Sequence, residues 1–306
     1  MIKIYKKTLK DSAIKEIKDV ERGSWVSVVN PSQEELDLLE KNLHLDPTIL
    51  EDALDENEIP RLERNRGDFY MIIRFPLISN SGVTTMPLLV VVAEECLITL
   101  CKVENEIINN FTKEKVNFHT TQKTHFLFKI ILEVFNNYDS YLNKILKDIK
   151  IKKIEIDNLG NKDILFLVQE EETLNNFESA LVPIISILKK ILRGRCITIY
   201  EKDKDVIEDL VMDSQQTLEL SRVGLKSIKN IREAYSAILT NDLNKVIKVL
   251  TGVTIILTIP TIIGSIYGMN VRIPQEDDPN AFYYIIFTII IMSVATFLIL
   301  TKRKWI

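Results

Sequence analysis

Five hydroxyl side chains, Thr251, Thr254, Thr258, Thr261 and Ser265, recur at steps of three, four, three and four residues. On a helix that spacing gathers them on one face. They lie within Val249 to Asn270, VLTGVTIILTIPTIIGSIYGMN, a run with no charged residue. Val253, Ile255, Ile256, Leu257, Ile259, Ile262 and Ile263 cover the other faces. At about 1.5 Å per residue the run can cross a hydrocarbon core of about 30 Å. One polar stripe on an otherwise branched apolar helix suits packing around a shared, water-filled axis. A single Thr more often bonds back to the carbonyl one turn earlier. Five in heptad register favour the axis. Asn244, Ile247 and Leu250 extend the same face upstream.

The elements that must carry this stripe follow from charge and periodicity. The chain has 306 residues, with a net charge of −4, and its charge is concentrated in the first 245 positions. That segment reads as soluble, and the acidic balance excludes a general nucleic-acid binder. Cys96, Cys101 and Cys196 lack metal-ligand spacing and read as reduced cytosolic thiols. His44, His119 and His125 are isolated and read as ordinary. MIKIYKKTLK has no apolar signal core.

Ile2 to Thr8 and Ser24 to Asn30 alternate like strands. Ser32 and Glu35 make a capping box for a helix, and Pro47 and Pro60 bracket a second, short one. Asp68 to Leu77 and Met86 to Cys101 have the composition of a sheet, with SNSG as the turn between them. From His119 the period is helical, and Phe126, Ile130, Ile131, Val134, Phe135, Tyr138, Leu142, Ile145 and Ile149 share a face. Leu159-Gly160-Asn161 turns the chain into a return arm from Asp163 to Arg193, whose Glu170-Glu171-Glu172 run reads as a solvated face. After Gly194 no proline occurs until Pro260, which predicts one helix of some sixty residues from near Lys202. Leu218, Leu225, Ile228, Tyr235 and Leu239 give it a broken apolar seam for packing against copies of itself. Ala281 to Thr301 reads as a second, lipid-facing crossing, with Tyr283, Tyr284 and Trp305 at its interfaces. The loop between the crossings holds Arg272 against Glu276, Asp277 and Asp278, while Lys245, Lys248, Lys302, Arg303 and Lys304 flank the other ends. The positive-inside bias therefore places the loop outside and both termini in the cytosol.

Tyr267-Gly268-Met269-Asn270, followed by a short polar loop, an apolar helix and the basic tail KRKWI, resembles the CorA-type family of divalent cation channels. WVSVVNPSQEE and ILEDALDENEIPRLE resemble two recurring segments of that family's N-terminal domain. The resemblance implies an α+β chain: a cytoplasmic α/β domain (1–118), a helical hairpin (119–200), a stalk helix (201–245), a pore-lining crossing (246–270), an external loop (271–280), a second crossing (281–301) and a basic tail (302–306). It implies a funnel-shaped homopentamer in the inner membrane; the residues alone argue only for a ring. Gly268, Met269 and Asn270 then form the selectivity filter, with a ring of Asn270 amides at the periphery of a hydrated ion. Mg²⁺ sheds water reluctantly and prefers oxygen, so neutral carbonyl oxygens select without holding it too tightly. Asn244 and the Thr/Ser stripe line the pore, and Ile247 and Leu250 match the family's apolar constriction, a gate by dewetting. Ordinary interhelical packing would also account for those two.

Two departures from the family pattern bear on the ion and on regulation. Ile273-Pro274-Gln275-Glu276 replaces the usual Met-Pro-Glu-type loop, leaving Co²⁺, Ni²⁺ and Zn²⁺ open beside Mg²⁺. Asp209 matches the stalk aspartate of the family's inter-subunit regulatory metal site. The matching loop, Ile78 to Thr85, has no carboxylate; other acids nearby, such as Glu208 or Asp213, could substitute. No phosphate loop, nucleophile elbow or paired metal-ligand motif points to an enzyme. The expected function is divalent cation influx, most strongly Mg²⁺. A zinc or other transition-metal transporter of the same superfamily is the alternative, and a membrane-anchored regulatory or scaffold protein is the alternative of another class.

Overall fold

The computed structural model describes residues 1–79, 82–194, 201–271 and 278–305. The chain divides into two compact units, Met1–Ile231 and Arg232–Ile306. The first holds a seven-stranded sheet in the order β2-β1-β3-β7-β6-β5-β4. Its strands are β1 (Ile2–Lys6), β2 (Lys15–Ile17), β3 (Ser24–Val29), β4 (Arg61–Asn65), β5 (Asp68–Ser79), β6 (Gly82–Val92) and β7 (Cys96–Cys101). Neighbours pair antiparallel except β3 with β7, which runs parallel from Ser24↔Cys96 to Val29↔Cys101.

Both faces of the sheet are covered, which is why its central strands read as continuous apolar runs rather than alternating ones. On one face α1 (Gln33–Leu43) and α2 (Pro47–Asp52) bury Leu36, Leu39, Ile49 and Leu50 against Val26, Val28, Tyr70, Ile72, Leu89, Val91, Ile98 and Leu100. The predicted capping box starts α1: Ser32 Oγ accepts from Glu35 N, and Glu35 accepts from Ser32 N. On the other face Trp25 is fully buried, edge-on to Phe111, Phe118 and Phe126, and its Nε1 donates to Thr99 Oγ1 at 2.9 Å. Phe111 comes from α3 (Glu106–Thr112), which the sequence reading did not anticipate. Met86 to Cys101 is divided between two strands: β6 ends at Val92, and a turn returns the chain antiparallel into β7. Of the SNSG turn, Asn80 and Ser81 lie outside the described residues; Ser79 and Gly82 pair across it.

Two 32-residue helices follow, α4 (Lys123–Ile154) and α5 (Asn161–Leu192). All nine residues of the predicted α4 face are buried. Tyr138 closes that face onto the sheet, its hydroxyl donating to Arg74 O at 3.0 Å. Gly194, at φ +68°, takes the left-handed conformation just past α5, where a side chain would be strained. Cys196 lies outside the described residues. Cys96 and Cys101 are free and buried, and burial pushes their thiols up to about 11 and about 12, which keeps both protonated and unreactive.

The last long element is α6 (Glu201–Tyr267), a single helix of 67 residues, about 100 Å long. Its first part corrects two of the five positions of the expected self-association seam, while Leu225, Tyr235 and Leu239 are not buried within the chain. Leu218 and Ile228 are buried inside their own unit, together with Ile207, Leu210, Ser214, Thr217, Ser221 and Ile231. Small residues make this possible. A Cβ on Gly224 would come within 2.8 Å of Leu174 Cδ1 and 3.1 Å of Leu146 Cδ2, so α6 approaches α4 and α5 where only hydrogen fits. Ser221 Oγ donates to Leu174 O at 3.2 Å and Thr217 Oγ1 to Asp139 Oδ1 at 2.6 Å. His125 is not isolated either: its Nδ1 lies 2.9 Å from the carboxylate of buried Asp203, joining the first turn of α4 to the first turn of α6.

In the second unit α6 continues to Tyr267, and α7 (Ala281–Lys302) follows. From Arg232 through Thr251 no α6 residue is buried.

Candidate functional site

The α6 and α7 segments of the second unit are each long and apolar enough to cross a membrane, and almost none of either apolar window is buried within the chain. Ile247, Leu250, Leu257, Ile262, Phe287, Ile290 and Leu298 are all about half exposed or more. A water-facing surface does not carry so much contiguous apolar area.

On α6 the five predicted hydroxyl residues are all exposed on the isolated chain. Three are committed in a way that refines the expectation. Thr254 Oγ1 donates to Leu250 O at 2.8 Å, Thr258 Oγ1 to Thr254 O at 2.7 Å, and Thr261 Oγ1 to Leu257 O at 3.1 Å. The back-bonding weighed for a single Thr therefore occurs along the stripe, and it coexists with outward exposure. Each such hydroxyl has spent its one proton on the helix and keeps its lone pairs free to accept from outside. The face these threonines present accepts hydrogen bonds and does not donate them. That suits the outward-pointing water hydrogens of a hydrated cation.

The helix ends at the triplet. Gly268 N donates to Gly264 O at 3.0 Å and Met269 N to Ile266 O at 3.3 Å, a tightened last turn. A Cβ on Gly268 would stand 3.2 Å from Gly264 O, so glycine has a reason here within one chain, in addition to any crowding between copies. Met269 and Asn270 are both exposed on this chain. Asn244, Ile247 and Leu250 are exposed on the same helix. Of the loop that follows, 272–277 lie outside the described residues, including Arg272, Glu276, Asp277 and the Ile273-Pro274-Gln275-Glu276 segment.

Asp209 is exposed on the part of α6 that belongs to the first unit. Among the described residues no group of three or more His, Cys, Asp or Glu side chains is placed to hold a metal ion. The helical carboxylates and the β5–β6 hairpin, whose Ile78 is exposed, are therefore not joined into a site within one chain. The serine and glycine seam at Ser214, Ser221 and Gly224 escaped the sequence reading. Its signal was present, as small residues at steps of three and four like those downstream.

An α/β sheet domain, long helices and two apolar, unburied C-terminal helices define a membrane protein with a large soluble part. The chain belongs to the CorA family: the model of the CorA-like Mg²⁺ transporter protein matches residues 21–303. It is 24% identical over 293 residues to the cobalt/magnesium transport protein CorA of Methanocaldococcus jannaschii, covering 92% of this chain and 91% of that one. It is 32% identical over 103 residues to the magnesium transport protein CorA of Helicobacter pylori, 33% of this chain and 32% of that one. The complete structure of the CorA magnesium transporter from M. jannaschii superposes with a TM-score of 0.88 at 21% identity, covering 100% of this chain and 99% of that one. The fold is that of a full-length CorA, and the family is one of divalent cation transporters rather than enzymes.

Proposed function

We propose that the chain is one subunit of a homo-oligomeric channel, five-fold by family likeness, that admits Mg²⁺ down its electrochemical gradient. One observation carries this reading. An exposed, acceptor-presenting Thr/Ser stripe runs along an otherwise apolar helix directly into Gly268-Met269-Asn270. Copies of α6 turned stripe-inward enclose a wet axis, with Asn270 amides at its mouth and Ile247 and Leu250 as a constriction that closes by dewetting. Asn244 adds a further polar ring on the cytosolic side. The ion passes with most of its water, which neutral amide and hydroxyl oxygens accompany without dehydrating.

In this reading both termini lie in the cytosol of a cell whose inner membrane the two helices cross, and the inside-negative potential drives influx. Two charges at about 2.3 kcal/mol each per 100 mV give close to 5 kcal/mol. Co²⁺ is the second substrate, since the M. jannaschii relative is a cobalt/magnesium transport protein; Ni²⁺ and Zn²⁺ are to be tested beside it. Asp209 contributes to metal-dependent closure only through a neighbouring copy. The deciding experiment is flux into proteoliposomes loaded with a Mg²⁺ indicator. Wild type should admit Mg²⁺, and Asn270→Ala should abolish flux or remove its selectivity. A chain monomeric in lipid, or equal flux from both, would sink the proposal.

A further inference from the structure

A cleft between α5 and α6 in the first unit is lined by none of the residues assigned above to permeation. It encloses about 530 Å³, within the size range of small-molecule sites, about 300–1,000 Å³. Its floor is apolar, with Ile185 and Leu218 buried and Val182 half exposed. Its rim is cationic. Lys189, Lys190 and Arg193 close the end of α5, all exposed. Arg222 stands on the α6 wall, but its guanidinium is already engaged: Nε donates to Glu178 Oε1 at 2.8 Å and Nη1 to Glu219 Oε1 at 2.9 Å. Glu219 is the carboxylate of the lining among the described residues, and Arg222 takes it up. Among the described lining residues, three cations thus share one cavity with no carboxylate left over. Basic residues in a last turn do complement the helix macrodipole, yet that role calls for neither a cavity nor an apolar floor.

We propose that this cleft binds a soluble, phosphate-bearing small molecule. Its phosphates meet Lys189, Lys190 and Arg193, and its uncharged body lies on Val182, Ile185 and Leu218. A guanidinium fork takes phosphate oxygens in pairs and ammonium groups act as point charges, so a polyphosphate answers all three where a single carboxylate would answer one. The apolar floor adds what inorganic phosphate cannot use.

The test is isothermal titration of the full chain in detergent, with EDTA throughout so that phosphates act as anions and not as chelators of the transported ion. ATP should bind saturably below millimolar concentration, and inorganic tripolyphosphate should bind more weakly. Lys189→Ala/Lys190→Ala/Arg193→Ala should weaken ATP by about tenfold or more, and Lys189→Arg/Lys190→Arg should retain it. The three positions are exposed, so circular dichroism and gel filtration should show unchanged folding. In a second arm, nanodiscs containing phosphatidylglycerol replace detergent; loss of ATP binding there would assign the cleft to lipid headgroups and overturn the proposal. Absence of binding at several millimolar ATP, tripolyphosphate binding as tightly as ATP, or indifference to the triple substitution would overturn it too. Asn270→Ala should bind ATP as wild type does, which separates this result from the permeation reading.

Discussion

One helix carries two stripes of small, hydroxyl-bearing residues, and they meet opposite fates. Ser214, Thr217, Ser221 and Gly224, at steps of three, four and three, are all buried, and Thr217 and Ser221 donate to α4 and α5. Thr251, Thr254, Thr258, Thr261 and Ser265 have the same spacing and are all exposed, with three of them donating back into α6. A hydroxyl turns its proton toward whatever acceptor is within reach. In the first unit Ser214 also bonds back to Val211 O and Thr217 lies within reach of Asp213 O, but Thr217 and Ser221 find further acceptors on neighbouring helices, and the stripe is a seam that draws α6 in. In the second, among the described residues, the acceptors are the helix's own carbonyls, and the outer face stays open. The same pattern suits a close neighbour in both places, and among the described residues only the first stripe finds one within its own chain.

The strongest way to break this comparison is at the open stripe's end. Asn270→Ala should reduce Mg²⁺ flux in proteoliposomes to background or leave it unselective, while thermal unfolding stays within the wild-type range. Next, Thr254→Val/Thr258→Val/Thr261→Val replaces outward lone pairs with methyl groups. Flux should fall by about tenfold or more, with folding unchanged, since what each hydroxyl satisfies is its own helix; the matching Ser substitutions should conduct.

At the closed stripe the effects should fall on stability instead. Gly224→Val should destabilise the chain by about 1–3 kcal/mol in urea unfolding, because its side chain must displace Leu174 and Leu146. Gly264→Ala, with nothing within 4 Å of its Cβ, should cost nothing. Thr217→Val should cost about 1–2 kcal/mol by removing the donor to Asp139. If Thr217→Val proves neutral while Thr258→Val unfolds the chain, the contrast is wrong.

The smallest effect lies far from both stripes. The amino terminus beside Glu35, with Ser32 N and Ile2 N, holds its carboxylate below the usual range. A lowered carboxylate stabilises above its unfolded pKa and loses that contribution as pH falls through the folded one. Glu35→Gln should therefore cost about 0.5–1 kcal/mol at neutral pH, and the difference should vanish in acid.

Legibility followed whether a partner lay nearby in sequence. The α4 face could be read residue by residue because a 3.6-residue period on a long helix leaves little choice. Ser32 and Glu35 announced α1 because both halves of the capping box are local. By contrast, β4 is five residues, RLERN, with no apolar alternation, and is held by its pairing with β5. Leu218 and Ile228 are buried within the first unit by residues far from them in sequence, such as Val182 and Ile185 beside Leu218, so their spacing was read as a demand for other copies. The open stripe was legible because its period is strict and its neighbours apolar. What lies across from it was not, since among the described residues nothing in the same chain covers it.

The bonds from Thr254, Thr258 and Thr261 to their own helix also bear on how a passage lined by them would behave. Rotors pinned in this way cannot swing to follow a charge moving past. Such a wall meets each ion with dipoles set during folding, so no reorientation of the lining accompanies a passage. Friction along that stretch would then come from the ion's own water, and ions should be sorted by how firmly they keep it.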